Sequence, residues 1–120
     1  MISIKGRTSS LPLFVRARFE VYIPDQPSPA YQDLLKTLAD EFTAVFGGCT
    51  IVRGLDGKYL STHGQIINDR ITLLYTDTPF DLQENFGPVS EYSDKLRRSA
   101  YQALDEEAVL VAVWPVYHSI

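Results

Sequence analysis

One cysteine, Cys49, stands in 120 residues, so no internal disulfide can form and a stapled secreted module is excluded. Long hydrophobic runs are missing as well. The longest, residues 108–114, falls far short of a bilayer's thickness. Residues 1–10 are polar and lack the apolar core of a signal peptide. A cytoplasmic protein with no membrane partner is expected. Acidic residues are absent before Glu20, where Lys5, Arg7, Arg16 and Arg18 all lie, yet the whole chain carries a net charge of -4. A globally acidic chain without one basic stripe is a poor nucleic-acid binder, so no nucleic-acid partner is expected.

The catalytic and cofactor signatures are missing too. Neither G-x-G-x-x-G nor G-x-x-x-x-G-K-[ST] occurs, so no glycine loop is set to cradle a phosphate. H-E-x-x-H, C-x-x-C and G-x-S-x-G are absent, which removes the common zinc and nucleophile-elbow patterns. No cofactor and no metal site is expected.

What is present is ordinary globular material: 45% hydrophobic, 22% charged and a generous 12% aromatic. This is one domain's length of chain. Residues 1–10 show no sustained period and read as an N-terminal arm; residues 11–120 read as a single domain. Leu13, Val15, Ala17, Phe19, Val21 and Ile23 alternate with Phe14, Arg16, Arg18, Glu20 and Tyr22. Period 2 held this long predicts a strand with one core face, ended by Pro24. Ser28 then suits an N-cap and Pro29 the first helical position. Tyr31, Leu34, Leu35, Leu38, Phe42 and Val45 share one helical face, and Gly47 suits the left-handed residue after the helix.

Residues 49–53 read as a strand, Leu55-Asp56-Gly57 as a hairpin turn, and His63-Gly64 as a second turn. Residues 66–76 form the next strand, with Ile71, Leu73 and Tyr75 on one face and Arg70, Thr72 and Leu74 assigned to the open one. Pro88 opens a second helix whose stripe is Val89, Tyr92, Leu96, Ala100 and Ala103. The last strand, residues 108–114, is apolar on both sides, and Pro115 disfavours a central position. The order β-α-β-β-α-β predicts a ferredoxin-like α+β fold: a four-stranded antiparallel sheet with two helices on one face.

Residues 46–69 hold five of the seven glycines, Cys49 and His63. Cys49 follows a helix C-terminus, where the dipole disfavours a thiolate, so it reads as structural. Tyr59, His63, Asp69 and Arg70 form a polar group able to line a cleft; His63 and Asp69 are the catalytic candidates if there is chemistry. Arg16 and Arg18 point the same way from one strand. They could hold a carboxylate or phosphate, or pair with Glu20 or a second subunit's acids.

Gly47-Gly48-x-Thr50, then Gly57-x-Tyr59 and Gly64, resembles a pattern in small uncharacterised ferredoxin-like families. Those families are similar in outline to PII-like signalling proteins and dimeric α+β barrels. The resemblance implies the fold and no particular activity, and a nucleotide-binding T-loop signature is missing. The expected function is a small regulatory or ligand- or protein-binding module that self-associates, as a dimer, through its sheet. The alternative is a small-molecule enzyme of the dimeric α+β barrel type using Tyr59, His63, Asp69 and Arg70. A third reading is a structural partner of another protein through the last strand.

Overall fold

The computed structural model describes residues 13–105 and 109–119; the expected arm, residues 1–10, lies outside them. Six elements follow in order: β1 (Leu13–Pro24), α1 (Pro29–Phe46), β2 (Thr50–Leu60), β3 (Ile66–Asp77), α2 (Phe86–Leu104) and β4 (Leu110–Ser119). The strands make one antiparallel sheet in the order β2-β3-β1-β4. Both helices cover the same face, which gives the ferredoxin-like α+β fold.

Helix α1 begins and ends as its residues dictate. Ser28 Oγ accepts the Tyr31 N–H, Pro29 opens the first turn, and Gly47 takes φ 91° while its N–H donates to the Thr43 carbonyl. Tyr31, Leu34, Leu35, Leu38 and Phe42 are buried against Ala17, Phe19, Val21 and Ile23 of β1. Val45, expected to continue this stripe, is exposed instead, because Phe46, four residues after Phe42, takes the inward position. In α2, Val89, Leu96 and Ala100 are buried and Tyr92 packs at the margin of the core. Ala103 is exposed and Leu104 replaces it, since the inward direction drifts along a 3.6-residue helix.

Two strand assignments need correction. Leu55-Asp56-Gly57 is not a turn: β2 runs unbroken to Leu60, and the one reversal lies at residues 61–65, around His63-Gly64. Gly54 instead supplies φ 72° at an irregularity between Val52 and Leu55. Gly57 is small for a packing reason, because a Cβ there would sit 2.2 Å from Ile71 Cδ1. The faces of β3 are also the reverse of those expected. Thr72 and Leu74, with Thr76, lie buried beneath the helices, opposite Ile23, Val21 and Phe19 respectively. Their hydroxyls are satisfied within the protein: Tyr31 Oη meets Thr72 Oγ1 at 2.5 Å, and Thr76 Oγ1 donates to the Gly48 carbonyl at 2.7 Å. The alternation pointed the other way, since Ile71, Leu73 and Tyr75 make the more apolar face; the hydrogen bonds that Thr72 and Thr76 find beneath the helices let the more polar face turn inward.

Strand β4 extends past residue 114 to Ser119 and pairs only with β1. Pro115 sits opposite Ala17, whose N–H and C=O are both taken by Phe80 and Thr78 on the other side. An edge strand tolerates proline at such a place.

The sheet is staggered. β1 pairs with β3 only from Arg18 to Pro24 and Ala17 bonds to Thr78 and Phe80, so residues 13–16 form a two-stranded ribbon with β4 at one end. Residues 66–69 of β3 continue with β2 alone at the other, past the Asp25 N–H that donates to the Arg70 carbonyl. The molecule is 54 × 30 × 25 Å in extent, with a radius of gyration of 17.1 Å. A chain of this length packed into a sphere-like domain would give about 13–14 Å. Ribbons that reach past the helix-covered centre elongate the molecule.

Candidate functional site on the open sheet face

Alternation along β1, β3 and β4 sets the composition of the uncovered face. It brings together Phe14, Arg16, Arg18, Glu20 and Tyr22 with Leu73, Tyr75 and Asp77, and with Leu110, Ala112, Trp114, Val116 and His118. At its centre Arg18 grips Asp77 in a two-pronged pair, Nε to Oδ1 at 2.6 Å and Nη2 to Oδ2 at 3.0 Å. His118 Nε2 lies 2.8 Å from the same Oδ2. The Arg18 guanidinium is flanked by aromatic rings, 4.3 Å from the Tyr75 centroid and 5.5 Å from that of Trp114. Each such contact is worth about 0.5–2 kcal/mol, more as water is excluded.

These contacts act on protonation. The hydrogen bond from Arg18 is the main cause holding the Asp77 carboxyl below the usual carboxylate range, and His118 adds to it. Asp77 holds Arg18 in its charged form in return. Beside the cluster, the Tyr22 hydroxyl donates to Glu20 at 2.9 Å, and desolvation first, then that bond, raises the phenol's pKa. Arg16 Nε is buried and without a hydrogen-bond partner among the described residues.

The site residues expected from sequence divide between two places. Arg18 enters the cluster, with Asp77 as its partner rather than Glu20. Arg16 lies on the same face, opposite Val116. Tyr59, His63, Asp69 and Arg70 lie on the β2–β3 hairpin, well away from that cluster. His63 is exposed in the turn, where its N–H donates to Ser61 Oγ. Asp69 is opposite Gly57, three residues into β3 and roughly 10 Å along the strand from its start. No hydrogen bond or ion pair joins His63 to Asp69 among the described residues. Arg70 meets Asp56 at 3.7 Å, an exposed pair of little weight. Asp56, Gly57, Lys58, Asn68, Asp69 and Arg70 do line a shallow surface hollow. Burial raises the pKa of the Cys49 thiol, so a structural role fits it.

Sequence reasoning missed Asp77, Tyr75, Trp114 and His118. The signal available was the β1 alternation itself, which placed Arg18 on the open face; pairing it required the β3 register.

No protein-family model and no curated protein sequence matches the chain. Solved structures do match. CutA1 from Oryza sativa superposes with a TM-score of 0.55 at 17% identity, covering 86% of this chain and 81% of that one. A phage SAM lyase in complex with S-methyl-5'-thioadenosine gives 0.55 at 15% identity, covering 88% of each. CPII, a nitrogen regulatory PII-like protein from Thiomonas intermedia K12 bound to ADP, AMP and bicarbonate, gives 0.51 at 18%, covering 89% and 98%. What this chain shares with them is the fold.

Proposed function

We propose that this protein is a small binding or regulatory module that self-associates through its open sheet face, with the Arg18–Asp77–His118 cluster at the joint. One observation carries the reading: the uncovered face sets exposed Phe14, Leu110 and Trp114 around a polar cluster already paired within the chain. Covering such a face leaves the Arg18–Asp77 pair with its partner and gains from burying the apolar rim. The two ribbons add unpaired strand edges at opposite ends, ready to pair with another copy. The occupant of the face is a second copy of the sheet.

Light scattering after size exclusion, at about 10–100 μM chain, tests the assembly. The expected mass is a multiple of 13.5 kDa. Trp114→Glu places an unpaired charge on the face and is expected to yield monomer. A wild-type monomer across that range would overturn the reading.

Two structural neighbours hold small ligands, ADP, AMP and bicarbonate in one and S-methyl-5'-thioadenosine in the other, which supports a ligand-binding role. The enzyme alternative is favoured by a different pair from the one expected: a carboxylate, Asp77, orients the His118 imidazole, an arrangement used in general acid–base catalysis. A thermal-shift screen with ADP and S-methyl-5'-thioadenosine tests both, since a ligand that binds the folded state raises its melting temperature. A shift lost in Asp77→Asn but kept in Asp69→Asn would place the ligand at the open face. The reverse would place it on the hairpin.

A further inference from the structure

On the helix-covered side, between the end of α1 and the start of α2, the protein holds a second concavity of about 270 Å³. Its walls are almost wholly apolar: Phe19, Phe46, Phe80 and Tyr92, with Val45, Pro79, Pro88 and Val89. The rings meet edge to face, Phe46 with Phe80 at 90° and 6.4 Å, and Phe46 with Tyr92 at 80° and 5.7 Å. Such packing leaves faces and edges to receive one more ring.

The walls are held from behind. The Phe80 carbonyl accepts the Ala17 N–H at 2.8 Å, and the Phe80 N–H donates to Thr78 Oγ1 at 3.2 Å. Asn85 is tied to the Asp81 carbonyl through both its backbone N–H and its side-chain Nδ2. The Tyr92 hydroxyl is taken by Glu41, and burial together with that carboxylate pushes its pKa well above the usual phenol range. Tyr92 therefore offers its ring to the hollow and keeps its donor for Glu41. Yet Phe80 is 43% exposed and Val45 62% exposed, so the aromatic hollow stands open to water. Preformed apolar hollows with one or two polar groups are the usual form of a small-molecule site. The polar group here is Asn85: its Nδ2 is engaged, which leaves the carboxamide oxygen as an acceptor at the rim.

We infer that this hollow is a binding site for a small planar aromatic molecule carrying one N–H or O–H donor, of indole or phenol size. A volume of about 270 Å³ suits one ring system of that size. The site stands independently of the sheet-face assembly.

Indole is the probe, followed by saturation-transfer NMR and by chemical shifts of the Phe and Tyr rings. One indole per chain is expected, with a Kd of about 0.1–1 mM for a ligand of this size. N-methylindole, which lacks the donor, is expected to bind several-fold more weakly. Val45→Glu alters an exposed residue and should leave the fold intact while weakening indole at least tenfold; Phe80→Ala removes a wall and should do the same. Trp114→Glu, on the opposite face, should leave indole binding unchanged even where it dissociates the assembly. Indole binding that is absent, or unaffected by both pocket variants, would overturn the inference. So would pocket variants that change the sedimentation coefficient, which would assign the hollow to another chain's side chain. Equal affinity for the two indoles would overturn the donor requirement.

Discussion

Asp77 is the residue on which the open face turns. It accepts from Arg18 twice and meets His118, and the side chains of Arg18 and Asp77 keep only about a fifth of their surface in water. Asp77→Asn is expected to cost about 1–3 kcal/mol at neutral pH, read by urea unfolding, because a half-buried guanidinium loses its counter-charge. The pH dependence follows from the sign of the shift. Folding lowers the Asp77 pKa, so its contribution is complete above the ordinary carboxylate value of about 4 and is lost as pH falls through the depressed one. The gap between wild type and Asp77→Asn should therefore be constant from pH 5 to 7 and close in stronger acid. A gap that persists unchanged to pH 2 would show that the charge pair is not its source. Gly54, at φ 72°, is the backbone counterpart. There Gly54→Ala should lose about 1 kcal/mol through strain alone, since its added Cβ meets only Arg70 Nη2, at 3.6 Å.

Among the elements, α1 was legible in its bounds and in its stripe as far as Phe42. Its cap, proline, apolar stripe and terminal glycine are local signals, each acting within a few residues of where it is written. Ser28→Ala is expected to remove about 0.5–2 kcal/mol, measured by thermal unfolding, since Tyr31 N–H then has no side-chain acceptor. The β2–β3 hairpin was legible only in part. Asp56-Gly57 carries the composition of a tight turn, but it lies opposite Arg70 and Asp69 in the middle of a ladder. Sequence chemistry proposes turns at several places; the register that satisfies the most pairs decides among them. The outer hairpin leaves Leu60 and Ile66 69% and 66% exposed and directly paired. Changing both to lysine should alter unfolding stability at dilute concentration by less than about 0.5 kcal/mol while weakening self-association, as seen by sedimentation velocity. A large stability loss in the monomer would mean that the ribbon packs within its own chain.

At the scale of the whole molecule, the stagger of the sheet matters most. Two-stranded ribbons are marginal in water by themselves, and this protein extends one from each end of its helix-covered centre. The ends differ: one exposes an edge of β1, the other an edge of β3. Edges that differ pair head to tail, and head-to-tail contacts close into rings when the rotation allows, whereas like-to-like contacts give the dimer expected from sequence. The measured mass separates the two. No described helix is long and apolar enough to cross a membrane.

The element order, both helices, the inward face of β1 and hence the fold class can be read from the residues alone. Those follow from periods and caps, whose physics is local. Which face of β3 is buried, where the hairpin turns, and that Arg18 belongs to Asp77, 59 residues away, come from long-range packing. The reason is the same each time. Thr72 and Leu74 are inward because Tyr31 and Val21 meet them there, and a strand with apolar residues on both faces takes its orientation from its neighbours, even against its own alternation.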